Sequence, residues 1–166
     1  MEQSINIYTE EQKIWDILQT VPDPEIPVLS VIDLGIIRKI EIYNTAENST
    51  GVRVLITPTY SGCPAMDAIN MDIRLKLLEN GYKNIQVTSI LSPAWTTDWM
   101  SEAGKQKLKD YGIAPPKLST EKNYIVECPQ CHSLHTKLLS QFGSTACKAL
   151  YQCQDCKEPF DYFKCH

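Results

Sequence analysis

The chain has 166 residues, of which 43% are hydrophobic, and it carries a formal net charge of −4. This length fits one compact domain with a small appendage. No run approaches the about 20 apolar residues that span a bilayer, and the first residues lack a secretion-signal pattern, so we expect a cytoplasmic protein without a membrane segment. The charge belongs to residues 1–120, whereas residues 121–166 are neutral. Neither part has the basic footprint of a nucleic-acid binder.

Cysteine and histidine are concentrated at the C-terminal end. Six of the seven cysteines follow residue 127, as do all three histidines. In a chain without an export signal, this usage indicates metal binding or thiol chemistry rather than disulfides, because reducing compartments keep thiols free. The uneven distribution predicts two parts with different roles.

The N-terminal part alternates between helical and strand patterns. Thr9 and Gln12 fit a capping box for a helix over residues 10–20, and the prolines of VPDPEIP then present Asp23 and Glu25 in a rigid segment, where acids are most often turn residues. Two period-two runs predict a hairpin, and a helix over 64–80 ends before Gly81. A third strand and a helix over about 98–111 follow. The runs that carry these predictions are Ile36, Ile40 and Ile42; Val52, Val54 and Ile56; Ile69, Ile73 and Leu77; and Ile85, Val87 and Leu91.

This order of elements predicts an α+β fold, a two-layer α/β sandwich in which helices cover one face of a small mixed sheet. Residues 113–124, GIAPPKLSTEKN from Gly112 onward, contain paired prolines and few large apolar groups, as in a linker. We therefore expect a first domain over 1–112, a linker over 113–124 and a second domain over 125–166.

A single cysteine, Cys63, lies in the stretch TPTYSGCPAMDAI over residues 57–69. Pro64 suits the first turn of a helix, so Cys63 falls at or next to the N-cap. Unpaired backbone donors and the positive end of the helix dipole would stabilise a thiolate there, favouring a nucleophilic or metal-ligand role. Buried cysteine is common, however, and the local pattern leaves the reactive and the merely structural interpretation evenly balanced.

Two CxxC pairs follow the linker. Cys128 and Cys131 form the first, Cys153 and Cys156 form the second, and 21 residues separate them. Two such pairs can offer four thiolates to one tetrahedral zinc ion, so a C-terminal zinc ribbon is predicted. His132 and His135 are alternative ligands, but the paired cysteines are better spaced, and we expect both histidines at the surface or beside the site.

Three further residues, Cys147, Cys165 and His166, have no role in this scheme. If a hairpin pairs Tyr151 with Phe160, Cys147 lies opposite Lys164, whereas a shift of one residue would set the two thiols opposite each other. The sequence slightly favours buried filler over a second metal or redox site.

Two runs carry a resemblance. DPEIPVLSVIDLGII followed by TPTYSGCPAMDAI resembles the metal-sulfur-cluster assembly domain family over roughly residues 10–110, with the family's cysteine on Cys63 and its acid on Asp23. PAWTTDWM, GIAPP and FGSTACKALYQCQDCKEPFDYFKCH resemble the phenylacetate-degradation D family, which is associated with the bacterial phenylacetyl-CoA epoxidase system. This resemblance implies an accessory or maturation role beside oxygenase and reductase components. A diiron oxygenase is not expected, because no histidine precedes residue 132, and a reductase is not expected without a dinucleotide fingerprint.

Three hypotheses follow from the residues and this resemblance. In the first, Cys63, with Asp23 or Thr59 nearby, transiently holds iron or an iron-sulfur cluster and delivers it to the oxygenase or reductase. A client or a second protomer would complete the ligand set, so a homodimer is among the expected assemblies. In the second, the chain is a non-catalytic scaffold that docks through its zinc ribbon, helped by Trp95 and Trp99 if exposed. The third, a thiol enzyme, is weakest because no nearby histidine supplies a base, so the chain is not expected to be catalytic alone.

Overall fold

The computed structural model describes residues 2–46, 49–117 and 125–164. The chain divides into two compact units, Met1–Trp95 and Thr96–His166. None of the described helices is long and apolar enough to span a membrane. The elements are α1 (Glu2–Leu18), β1 (Ile37–Asn44), β2 (Thr50–Ile56), α2 (Ala65–Glu79), β3 (Asn84–Ser89), α3 (Glu102–Asp110), β4 (Thr136–Ser140), β5 (Lys148–Cys153) and β6 (Pro159–Phe163).

The first unit is built on a three-stranded mixed sheet. Its order is β1-β2-β3, with β1 antiparallel and β3 parallel to β2. The parallel pair requires a crossover, which α2 supplies. Helix α1 packs against α2 and β1, and α2 packs against β3. The predicted α+β fold with a small mixed sheet is confirmed. Fully buried side chains between the layers include Ile14, Leu18, Val52, Val54, Ile56, Ile73 and Leu77.

Three details of this unit differ from the sequence prediction. Helix α1 begins at Glu2, so Thr9 lies inside the helix and the predicted capping box is wrong. No glycine or proline stands in residues 2–9 to stop the helix from extending upstream. Leu91 lies beyond the end of β3 and is exposed. A bulge between Ile37 and Lys39 shifts the β1 register, and Ile37 joins the core.

The second unit contains α3 and a second sheet of order β4-β5-β6, all antiparallel. Ser101 caps α3, because its Oγ accepts a hydrogen bond from the Gly104 N–H at 2.9 Å. Ala114 adds an isolated bridge beside Tyr162 at the β6 edge. Part of the predicted linker, 118–124, lies outside the described residues. The domain bounds 1–112, 113–124 and 125–166 stay a prediction, to which the structure adds that residues 96–112 belong to the same compact unit as the second sheet.

The β5–β6 hairpin adopts the register expected from the sequence. Tyr151 pairs with Phe160, and the Lys164 N–H donates to the Cys147 carbonyl at 2.9 Å. Cys147 is buried, with its Sγ 3.0 Å from Thr145 Oγ1. The alternative register, shifted by one residue, is therefore not the one adopted. Cys165 and His166 lie outside the described residues.

Candidate functional site

Cys63 lies between the end of β2 and the start of α2. Its N–H donates to the Tyr60 carbonyl at 3.2 Å, and its own carbonyl accepts from the Met66 N–H at 3.2 Å. Gly62 allows this turn with a φ of +80°, a conformation that glycine adopts without strain. Pro64 occupies the N-cap position with φ −68° and ψ −21°. The prediction that Cys63 stands next to the N-cap is confirmed, and the thiol is free and partly exposed.

Asp23 is buried in the turn formed by DPEIP. Its Oδ1 accepts from the N–H groups of Glu25 at 2.9 Å and Ile26 at 2.6 Å. Its own N–H donates to the Leu29 carbonyl at 2.8 Å. Two donors at one carboxylate oxygen fix the turn, so Asp23 has a clear structural role in addition to any part it plays in binding.

Backbone hydrogen bonds tie this turn to the Cys63 loop. The Val31 N–H donates to the Val21 carbonyl at 2.9 Å, the Ile36 N–H to the Val31 carbonyl at 3.4 Å, and the Thr57 N–H to the Ile36 carbonyl at 2.8 Å. Since Ile37 pairs with Ile56, the segment before β1 and the loop after β2 lie at the same end of the sheet. The segments that contain Asp23, Thr59 and Cys63 therefore share this end of the first unit.

The loop contains a polar residue that the sequence did not single out. Thr57 is buried, and its Oγ1 has no hydrogen-bond partner among the described residues. Leaving such a hydroxyl unpaired costs about 1–3 kcal/mol, and exceptions of this kind call for an explanation. Thr59, the threonine chosen from the sequence, is partly exposed. No spacing rule distinguishes the two, because burial of Thr57 depends on the layers around it.

The two CxxC pairs meet in the second unit. The Sγ atoms of Cys128, Cys131, Cys153 and Cys156 all lie within 4.8 Å of one another. Cys128 Sγ is 3.7 Å from Cys156 Sγ, and Cys131 Sγ is 3.5 Å from Cys153 Sγ. Zinc–sulfur bonds of about 2.3 Å in a tetrahedron separate the sulfurs by about 3.8 Å. The donor set and its spacing therefore fit a tetrahedral zinc ion.

Each pair stands in a similar turn. The residue after the second cysteine, His132 or Lys157, has a positive φ, 62° and 68° respectively. In both turns the first cysteine donates its N–H to a carbonyl five residues further on, that of Ser133 for Cys128 and that of Glu158 for Cys153. The sequence spacing thus produces two equivalent turns that face each other.

The thiols do not share one proton affinity. Burial raises the pKa of Cys153, but the backbone N–H groups of Cys156 and Asp155 and the neighbouring thiols outweigh it and hold this pKa at about 6. For Cys156 the Glu158 N–H lowers the pKa, while burial and the three other thiols raise it to about 12. Four thiolates repel one another at these distances, so a cation is required before all four can lose their protons.

Polar side chains link the turns to their surroundings. Ser133 Oγ donates to Asp155 Oδ2, which connects the two cysteine turns. His132 Nδ1 lies 2.8 Å from Glu127 Oε1, and Lys109 of α3 donates to the same oxygen at 3.1 Å. These contacts to His132 and then Lys109 hold the pKa of Glu127 below its usual range. His132 and His135 are both exposed and stand outside the four-cysteine group, as expected.

Comparisons with known proteins agree with this division. Residues 11–89 match the family described as iron-sulfur cluster assembly protein, and residues 113–164 match the PaaD zinc beta ribbon domain. A domain of unknown function, DUF59, from Bacillus anthracis has a solved structure that aligns with a TM-score of 0.51 at 27% identity, over 59% of this chain and 90% of that one. The fold and the cysteine group thus define an iron-sulfur assembly domain followed by a zinc ribbon.

Two curated relatives make the assignment more specific. An Fe-S protein maturation auxiliary factor of Porphyromonas gingivalis (strain ATCC BAA-308 / W83) is 40% identical over 59% of this chain and 90% of its own. The D component of 1,2-phenylacetyl-CoA epoxidase from Escherichia coli (strain K12) is 49% identical over 156 residues, 92% of each chain. The chain belongs to the family of this epoxidase component, the phenylacetate-degradation D family that its sequence resembles.

Proposed function

We propose that this chain is an accessory subunit of a phenylacetyl-CoA epoxidase system that delivers iron or an iron-sulfur cluster to the oxygenase or the reductase. The observation that carries the proposal is a free, partly exposed thiol, Cys63, at the start of α2 within the part of the chain that matches the iron-sulfur assembly family. Thiolates suit iron-sulfur species as ligands. The E. coli relative, which is named as an epoxidase component, supports the choice of system.

Delivery needs only an exchange of ligands. The bond between iron and the Cys63 sulfur breaks as a thiolate of the receiving protein bonds to the same iron, and no electron changes hands. A carrier with one ligand from its own chain holds its cargo loosely enough for this exchange. Asp23 and Thr59 stand in the segments at the same end of the sheet, and we propose that they contact the cargo alongside Cys63.

The four cysteines of the second unit have a different role in this proposal. Cys128, Cys131, Cys153 and Cys156 would hold one zinc ion, which stabilises the ribbon and takes no part in delivery. A closed set of four thiolates leaves no open position for a substrate. Metal analysis of the purified protein should therefore find about one zinc per chain before any iron is added.

The experiment that tests delivery uses the serine variant of Cys63. The chain is loaded anaerobically with iron and sulfide, mixed with metal-free oxygenase or reductase, and transfer is followed by electron paramagnetic resonance and by recovered activity. Cys63→Ser should lower the transfer rate by about tenfold or more. Cys147→Ser, which alters a buried thiol outside both sites, is the matched control and should transfer normally. Normal transfer by Cys63→Ser would contradict the proposal.

A scaffold role is the second candidate function. It is favoured by four exposed apolar side chains on and around β4 of the ribbon, Leu134, Leu138, Leu139 and Phe142. Trp95 does not contribute, since it is buried and donates its indole N–H to the Leu34 carbonyl at 2.9 Å. If the scaffold role is correct, changing Leu139 and Phe142 to glutamine should weaken co-purification with the epoxidase components while Cys63→Ser leaves it unchanged.

A further inference from the structure

Helix α2 has two apolar faces, although only one of them is covered. The inner face, Ala65, Ile69, Ile73 and Leu77, is buried in the first unit. On the opposite side Met71, Leu75 and Leu78 are 59%, 47% and 55% exposed, and Ala68 is exposed before them. These four residues, here called the outer stripe, follow one another at intervals of three and four. Large aliphatic side chains on successive turns of a surface helix indicate a contact surface.

The outer stripe starts close to Cys63. Ala68 is five residues after the cysteine, and at 1.5 Å per residue the stripe extends for about 15 Å along the helix. Pro64, between the two, is exposed as well. A protein bound along the stripe would therefore lie beside the thiol.

The spacing and the charges indicate what kind of partner fits. Side chains at alternating intervals of three and four residues pack best against another helix. Asp67 and Asp72 flank the half of the stripe nearest Cys63 and make no ion pair with the described residues. The basic groups further along are engaged within the chain: Arg74 donates to Asn70 Oδ1 at 2.8 Å and to the Ile85 carbonyl at 3.2 Å, and Lys76 pairs with Glu79 at 3.1 Å.

A permanent dimer is a poor match to this surface. A standard interface buries about 800 Å² per partner, and three half-exposed side chains fall short of that area. A second copy would also have to free Arg74 or Lys76 from its own contacts in order to neutralise Asp67 and Asp72. A transient partner that brings its own basic residues needs neither a larger surface nor this rearrangement.

We propose that the outer stripe is the docking surface for the protein that receives the cargo from Cys63. The occupant is an amphipathic helix whose apolar face lies along Met71, Leu75 and Leu78, and whose lysine or arginine side chains face Asp67 and Asp72. This docking rests on the proposed function, since it supplies the partner for the same thiol.

Binding of the full chain to the purified oxygenase and reductase tests the docking surface. The double variant Met71→Gln/Leu75→Gln should bind the receiving component about tenfold more weakly than the wild type. Leu91→Gln is the matched control, because Leu91 is 65% exposed in the same unit but lies off the helix. Asp67→Lys/Asp72→Lys should also weaken binding, and should reduce its dependence on salt. Circular dichroism and the melting temperature of each variant show whether the fold is kept.

A photo-cross-linking residue in place of Met71 identifies the occupant directly. The expected product joins α2 to a helical segment of the oxygenase or the reductase. A product that joins two copies of this chain, or unchanged binding by folded stripe variants, would overturn the docking proposal, as would a wild type that binds neither component.

Cys63→Ser separates this inference from the proposed function. It should dock like the wild type and fail to deliver. If it delivers normally, the delivery function fails whatever the stripe variants do. If it blocks delivery while folded stripe variants still bind and receive normally, only the docking surface is wrong.

Discussion

The metal-dependence of the ribbon can be predicted from its small core. The buried cluster of the second unit contains Ala114, Val126, Cys128, Ala149, Cys153, Phe160 and Tyr162, with Tyr151 packed beside it. Two of these seven buried residues are cysteines of the metal site. Cys128→Ser keeps nearly the same shape but removes one thiolate, so it tests the ligand and not the packing.

The magnitude follows from what the core can supply without a metal. Its three large side chains, Val126, Phe160 and Tyr162, each stabilise the fold by about 1.5–3 kcal/mol through burial. Ordering the backbone costs about 1–2 kcal/mol per residue, and β4, β5 and β6 alone hold 5, 6 and 5 residues. Structural zinc contributes about 10–16 kcal/mol in zinc-finger peptides. We therefore expect the ribbon to be unfolded without its metal.

Nuclear magnetic resonance of the amide groups measures this directly. A strong chelator, or Cys128→Ser, should collapse the dispersed resonances of β4, β5 and β6 and leave those of β1, β2 and β3 in place. Cys147→Ser is the control, since it changes a buried cysteine that is not in the four-cysteine group, and it should keep both the zinc and the dispersion. Dispersed β5 and β6 resonances in a metal-free sample would refute the reasoning.

Two further predictions concern the first unit. Asp23→Ala should lower the free energy of unfolding by about 2–5 kcal/mol, because the N–H groups of Glu25 and Ile26 lose their buried acceptor; urea unfolding measures it, and an unchanged stability would contradict the turn role. Tyr82→Phe removes a 2.6 Å hydrogen bond to Glu10 and should cost about 0.5–1.5 kcal/mol at pH 7. Tyr82 and then Lys13 hold the pKa of Glu10 below its usual value, so this stabilisation is present above the unfolded pKa of about 4.3 and is lost as the pH falls through the lower folded pKa. The difference between Tyr82→Phe and the wild type should shrink in unfolding measurements near pH 3, and a difference that persists there would count against the ionised carboxylate.

The sequence by itself determined the features that depend on short-range spacing. Two CxxC pairs predicted one four-thiol group, the interval of four in Ile69, Ile73 and Leu77 predicted the buried face of α2, and Gly81 marked its end with a φ of +93°. The Tyr151–Phe160 register was also predictable, because a hairpin around a fixed turn allows few alternatives. Each of these follows from covalent geometry along a few residues.

Only the tertiary structure decided which polar and apolar groups are covered. Asp23 proved to be a buried turn acceptor, Thr57 a buried hydroxyl without a described partner, and Leu91 an exposed residue past its strand. The outer stripe of α2 is visible only once Ile69 and Ile73 are known to face the sheet, because Met71 and Leu75 are equally apolar in the sequence. Burial is a property of neighbours that are distant along the chain, so local patterns do not contain it.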